Sequence, residues 1–202
     1  MRPDDANSAG GYGIAVAISG ATVLVGAFDG DGLVNSSGTA YTFDVPTFGT
    51  AYCFYNTGAP CFNTYGGAGC ANSTGRGALM AACGTASVAA DDLVLRVRDL
   101  PANELGLVCM GAGQSFVPFG DGQLCVASGG AALYRFPVSN SGSAGVLVQG
   151  PGIVAHSLSN FPSAGQIAAG QTWNFQGWHR DPLSPCGTGF NVSNAYSVTF
   201  TL

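Results

Sequence analysis

A chain of 202 residues with 8% charged side chains, 32 glycines and no lysine cannot cover its surface with charge. Hydroxyls, amides and backbone must do so, and ten Asp against one Glu (Glu104) leaves few of the charged residues that favour helices, so strands and turns are expected. A net charge of −5 with six scattered arginines excludes the clustered basic surface that nucleic acid or an anionic membrane requires.

The N-terminus, Met1-Arg2-Pro3-Asp4-Asp5, carries acids where a signal peptide has a positive region and an apolar core. A mature or truncated piece is therefore expected, or a chain whose signal was trimmed. The uncharged stretch from Asn7 to Phe28 is long enough to span a bilayer, but it alternates. Ile14, Val16 and Ile18 fall on one face; after Gly20-Ala21, Val23, Val25 and Ala27 fall on one face again. This period of two, broken by a two-residue turn with Gly first, predicts a β-hairpin rather than a membrane helix. Residues 38–44 add a third strand, with Thr39, Tyr41 and Phe43 on one side.

From Gly11 to Asp44 the chain resembles one FG-GAP-type repeat, the blade unit of integrin-like β-propellers. The resemblance implies an antiparallel blade in a secreted protein, with calcium bound in an Asp-rich hairpin in some members. Here Asp29 and Asp31 are the candidate ligands. They do not make an EF-hand loop, because Leu33 and Ala40 stand where further ligands are needed. An Asp-Gly turn joining two strands explains the same residues. A propeller needs about four to eight blades, and no second copy is found. A lone blade keeps open edges, so it must pack on something, pair with another molecule, or belong to a longer chain.

Residues 47–78 read as a Cys/Gly-rich connector without hydrophobic period. Residues 79–202 read as a β-sandwich, jelly-roll-like, with strands expected at 86–90, 93–99, 105–110, 123–126, 132–137, 145–149, 172–180 and 195–202. The fold class is thus all-β, with domains 1–46, 47–78 and 79–202. The runs 67–81, 119–125 and 178–200 resemble a C-terminal module that follows repeats in large secreted proteins of environmental bacteria. That resemblance implies an extracellular location and a role in sorting, anchoring or assembly, with no activity attached. His179 stands where an aromatic often precedes the Arg-Asp-Pro.

Seven cysteines without a C-x-x-C pair, and two histidines, suit disulfides in an oxidising compartment better than zinc. Proximity along the chain suggests Cys61–Cys70, Cys83–Cys109 and Cys125–Cys186, which leaves Cys53 as a free or intermolecular thiol.

Candidate chemistry is sparse. Residues 178–182 share letters with a kinase catalytic loop, but no lysine exists to complete one; Arg180 and Asp181 are expected in an ion pair or on loop carbonyls. No G-x-S-x-G occurs, so His156 and His179 offer only the default possibility of a spatial triad. One Glu and turn-type Asp residues do not suggest a glycosidase pair. Asp91, Asp92 and Asp121 are weaker metal candidates. In 172–180, Asn174, Gln176, Trp178 and Arg180 share a face that could stack and hydrogen-bond a sugar, although a strand packed on both faces is the preferred reading. Asn35, Asn72 and Asn191 head glycosylation acceptor triplets.

The expectation is therefore an extracellular, non-enzymatic structural or adhesive protein without catalytic residues. Open blade edges would let it self-associate by strand pairing into fibres or a surface layer. The alternatives are a calcium-assisted carbohydrate-binding module and, more distantly, a secreted hydrolase. No cofactor is expected other than Ca2+, and no nucleic-acid partner or membrane insertion.

Overall fold

The computed structural model describes residues 12–19, 22–27, 38–44, 48–54 and 58–202. The chain divides into two units, Met1–Thr47 and Phe48–Leu202.

The first unit is a three-stranded antiparallel sheet of β1 (Tyr12–Ser19), β2 (Thr22–Ala27) and β3 (Thr39–Asp44), in that order. The register sets Val16 opposite Val25, and Val25 opposite Tyr41. That row is the face expected from the alternation, and Val25 and Ala27 on it are buried. The other face carries Ala15, Ala17, Leu24, Ala40 and Thr42, all exposed. The Gly20-Ala21 turn and the candidate calcium ligands Asp29 and Asp31 lie outside the described residues.

The second unit begins earlier than expected. Residues 48–78 are not a connector: β4 (Thr50–Tyr52) adds to the main sheet, pairing Ala195, Tyr196 and Ser197. The next strands are β5 (Leu79–Cys83), β6 (Val94–Arg98), β7 (Leu105–Gly111), β8 (Gly113–Phe119), β9 (Gly122–Ala127), β10 (Tyr134–Arg135), β11 (Ser139–Asn140) and β12 (Leu147–Gln149). A helix α1 (Ile153–Asn160) precedes the two long strands β13 (Thr172–Arg180) and β14 (Phe190–Thr199). The main sheet runs β10-β7-β13-β14-β4, with β11 also on β7; a smaller sheet runs β12-β6-β5, and β8-β9 is a separate ribbon.

One hydrophobic core fills the space between the main and the smaller sheet. Val108, Met110, Trp173, Phe175 and Val198 come from the main sheet, and Met80, Leu95, Val97 and Leu147 from the smaller one. Gly177 sits at their closest approach: a Cβ there would lie 2.8 Å from Val97 Cγ2. Helix α1 adds Ile153 and Val154 to this core. Nothing in its sequence signals a start, because its cap comes from elsewhere. The Asp91 carboxylate accepts hydrogen bonds from Val154 N (2.8 Å) and Ala155 N (2.9 Å), satisfying donors that a local Ser or Asp usually takes.

All seven cysteines are placed, and the expected pairing is wrong. Cys53 bonds Cys125 and Cys61 bonds Cys186, with Cα separations of 6.3 and 5.7 Å. Cys70, Cys83 and Cys109 are free. Proximity along the chain misled because the partners meet only after folding. Cys70 is buried under the ribbon beside Cys125, while Cys83 ends β5 and Cys109 lies on β7 of the other sheet. Cys53 is therefore not available as an intermolecular thiol.

Burial holds the Cys70 and Cys109 thiols protonated. It is the larger cause for Cys70, ahead of the nearby Asp121 charge, and lifts it to about 12; burial lifts Cys109 to about 11. Alkylation of the native, non-reduced protein is expected to label Cys83 alone; denaturant should expose three thiols in all. Peptide mapping reads both numbers, and a fast-labelling Cys53 would refute the pairing. The Cys61–Cys186 bridge closes a span of 125 residues. Changing both cysteines to Ser is expected to lower unfolding free energy by about 3–5 kcal/mol in guanidinium titrations.

Candidate functional site

The outer face of the main sheet turns away from the large core and toward the β8–β9 ribbon. Strand β13 supplies its centre, and its alternation is as expected: Trp173 and Phe175 point inward, and Asn174, Gln176 and Trp178 outward. The outward amides do not reach solvent. Gln176 Nε2 donates to Gln123 O (2.8 Å) and Ser193 O (2.7 Å), and its Oε1 accepts from Cys125 N (2.9 Å). Asn174 Oδ1 lies 3.1 Å from Tyr52 Oη and 3.0 Å from Gln114 Nε2. Both amides are fully occupied in tying the ribbon and β4 to the sheet. Arg180 is exposed at the strand end, with no ion pair among the described residues. The sugar-binding face is therefore corrected: its amides are structural, and only Trp178 of the four lines an open space.

That space is a hollow of about 390 Å³. Leu107 and Cys109 of β7, Trp178 of β13 and Val192 of β14 form its floor, Phe119 and Leu124 of the ribbon one wall, and Leu133 and Arg135 another. Register explains the floor, since Trp178 pairs with Leu107 on one side and Val192 on the other. Phe190 packs against both Trp178 and Phe119, at centroid distances of 5.9 and 5.0 Å. The Cys109 thiol donates to Gln176 O at 3.2 Å. Arg135 is exposed at the edge and has no carboxylate partner among the described residues, whereas Arg76 and Arg98 both lie on Asp99. Among the residues lining the hollow, only Trp178 belongs to the ligand face expected from sequence. The signal for the others is present in β7, whose run Leu107-Val108-Cys109-Met110 is apolar on both faces.

The remaining candidates are dispersed. Asp91 caps α1, and Asp92 Oδ1 accepts from Thr85 N and Oγ1 (2.9 and 2.6 Å), which holds its carboxyl below the ordinary value. Asp121 is buried and accepts from Cys186 N and from Thr188. It lies beside Cys61 and Cys186, but these two sulfurs are bonded to each other and offer no thiolate ligands. Asp181 is buried too; its Oδ2 accepts from Ser73 N, and it forms no pair with Arg180. Asn191 and Asn72 are buried, with amides donating to Cys70 and Ala71 carbonyls and to Asp99 O respectively, so neither presents an acceptor to a glycosylating enzyme. Asn35 lies outside the described residues.

The two histidines are far from a shared chemistry. His156 on α1 stacks against Phe136 and Phe161, with ring centroids at 5.2 and 5.4 Å. His179 is buried on the inner face, and neither ring nitrogen has a hydrogen-bond partner among the described residues. Desolvation lowers it from 6.5 to about 4.

The buried imidazole and the buried amide each make stability measurable. Below its unfolded pKa of 6.5, His179 takes a proton in the unfolded chain but not in the folded one. Stability should therefore fall as pH drops from about 6.5 to about 4, by about 3 kcal/mol at most, and His179→Leu should flatten that slope in urea titrations. Gln176→Leu should lower unfolding free energy by about 3 kcal/mol or more at neutral pH, since it strands three buried backbone groups.

A family model described as FG-GAP repeat matches residues 1–43, which take in the three-stranded sheet except Asp44. No curated protein and no solved structure matched the chain in comparisons with either.

Proposed function

We propose that this is an extracellular, non-enzymatic structural or adhesive protein whose FG-GAP unit self-associates by strand pairing, giving fibres or a surface layer. The observation that carries the proposal is the first unit's sheet. Among the described residues β1 and β3 each pair with β2 alone, and no further strand is paired to either. Natural sheets blunt such edges with charge, proline or cover. Strand β3 has neither proline nor lysine and carries one acid, Asp44, at its end, while its exposed Ala40 and Thr42 offer no steric or electrostatic barrier. Val16 at 60% and Leu24 at 43% exposure give each face an apolar residue that a partner would cover. The FG-GAP match supports a surface or adhesion role. The two disulfides fit an oxidising compartment. No helix among the described residues is long and apolar enough to cross a membrane.

Sedimentation velocity over a hundredfold range of concentration tests this. Reversible growth in mass is expected, and Ala40→Lys/Thr42→Lys should suppress it by placing charge on the β3 edge. A strict monomer throughout, or association unchanged in the double variant, would overturn strand pairing.

A further inference from the structure

We propose that the hollow between the β8–β9 ribbon and the main sheet binds a small amphiphilic anion: an apolar chain of about ten carbons ending in a carboxylate. The floor and walls favour the chain. Leu107, Phe119, Leu124, Trp178 and Val192 present hydrocarbon, and the Cys109 thiol directs its proton to Gln176 O. A sugar is disfavoured, because its hydroxyls would leave water without partners. The amides that a sugar would want, Asn174 and Gln176, are closed behind their own hydrogen bonds.

The sign of the head group comes from Arg135. It is the one charged side chain lining the hollow, it is exposed, and it has no carboxylate partner among the described residues. A guanidinium meets a planar carboxylate with two parallel hydrogen bonds, so an anionic head satisfies it where a cationic head would be repelled. The chain's net negative charge does not oppose this strongly, since exposed charges beyond about 8–10 Å are screened at physiological salt.

Size sets the remaining limit. At roughly 30 Å³ for each non-hydrogen atom, close to the share a water occupies, 390 Å³ holds on the order of thirteen such atoms. Decanoate fits that count and a phospholipid does not, so the occupant is a free amphiphile rather than a lipid in a bilayer. Trp178 on the floor gives the site its own reporter, while Trp173 is buried in the other core.

The experiment is a titration of the full chain with decanoate, monitored by calorimetry and by tryptophan fluorescence, with decyltrimethylammonium as the opposite-charge control. Decanoate is expected to saturate one site with a dissociation constant of about 10–500 μM, a range ordinary for so small a ligand. Decyltrimethylammonium should bind at least tenfold more weakly. Arg135→Gln, an exposed substitution expected to leave the melting temperature unchanged, should weaken decanoate at least fivefold. Leu124→Glu, which puts a carboxylate on the ribbon wall, should abolish binding; circular dichroism confirms that it folds. No saturation by 2 mM decanoate, less than tenfold preference over the cation, or less than fivefold loss in Arg135→Gln would each overturn the proposal. The readout lies in the second unit and the association assay in the first, so each reading can fail alone.

Discussion

The second unit depends on buried amides along the β13–β14 pair. Between Gln176↔Ala195 and Trp178↔Val192, strand β14 carries one residue more than β13, a bulge opposite Gly177. The extra residue re-aims the side chains around it. Ser193 Oγ accepts from Gly177 N at 2.9 Å, closing the bulge from inside. Asn194 turns toward the smaller sheet, where its Oδ1 accepts from Met80 N (2.7 Å) and its Nδ2 donates to Met80 O (3.2 Å). A side-chain amide thus stands in for a neighbouring strand along β5, whose only named partner strand is β6. On the opposite face Gln176 does the same for Cys125 of the ribbon. Two amides fasten one strand pair to the layer above and the layer below.

This arrangement explains how a chain so poor in charge keeps unique layers. Burying an amide without partners is costly, so each one accepts only the register that satisfies it. The hydrophobic core between the sheets supplies most of the driving force and is tolerant of sliding; the amides are not. The disulfides act at a longer range. Cys53–Cys125 ties the segment after β4 to the ribbon, and Cys61–Cys186 ties the following loop to the β13–β14 turn, both across the outer face. That face is thin in apolar contacts: its cluster holds only Cys70, Cys125, Val126 and Ala195 as buried members. Covalent closure falls where hydrophobic closure is weakest, and the hollow lies on this same face.

The first unit is held by a different balance of forces. It is a small sheet with one partly covered face, and β1 and β3 each pair with β2 alone among the described residues. The β2–β3 pairing is regular, the β1–β2 pairing shifts register between Tyr12 and Ala15, and the small side chains Ala15, Ala17 and Ala40 lie on the exposed face.

Local alternation and turn chemistry determined the strands that the sequence could announce by itself. Strand β13 is found over its full expected span, β6, β7, β9 and β12 lie within or close to theirs, and the three strands of the first unit follow their hydrophobic rows. Periodicity carries this information because each such residue needs only to know which face is buried. Strands β4, β5 and β8, the first half of β14 and helix α1 were not legible, and the strand expected at 86–90 is a turn carrying one isolated bridge. Residues 190–194 precede the strand expected at 195–202, and their polar side chains find partners only in the fold: Asn194 on Met80, the Ser193 hydroxyl on Gly177 N and Asn191 on Cys70 O. Helix α1 lacks a local cap, and Asp91, some sixty residues away, provides it. The cysteine pairs were hidden for the same reason, since a bridge 125 residues long leaves no trace in nearby sequence. Composition and period thus decided which segments extend and which faces are apolar. Only the tertiary structure decided which buried polar group meets which, because a hydrogen bond or a disulfide depends on partners brought together in space and not on neighbours along the chain.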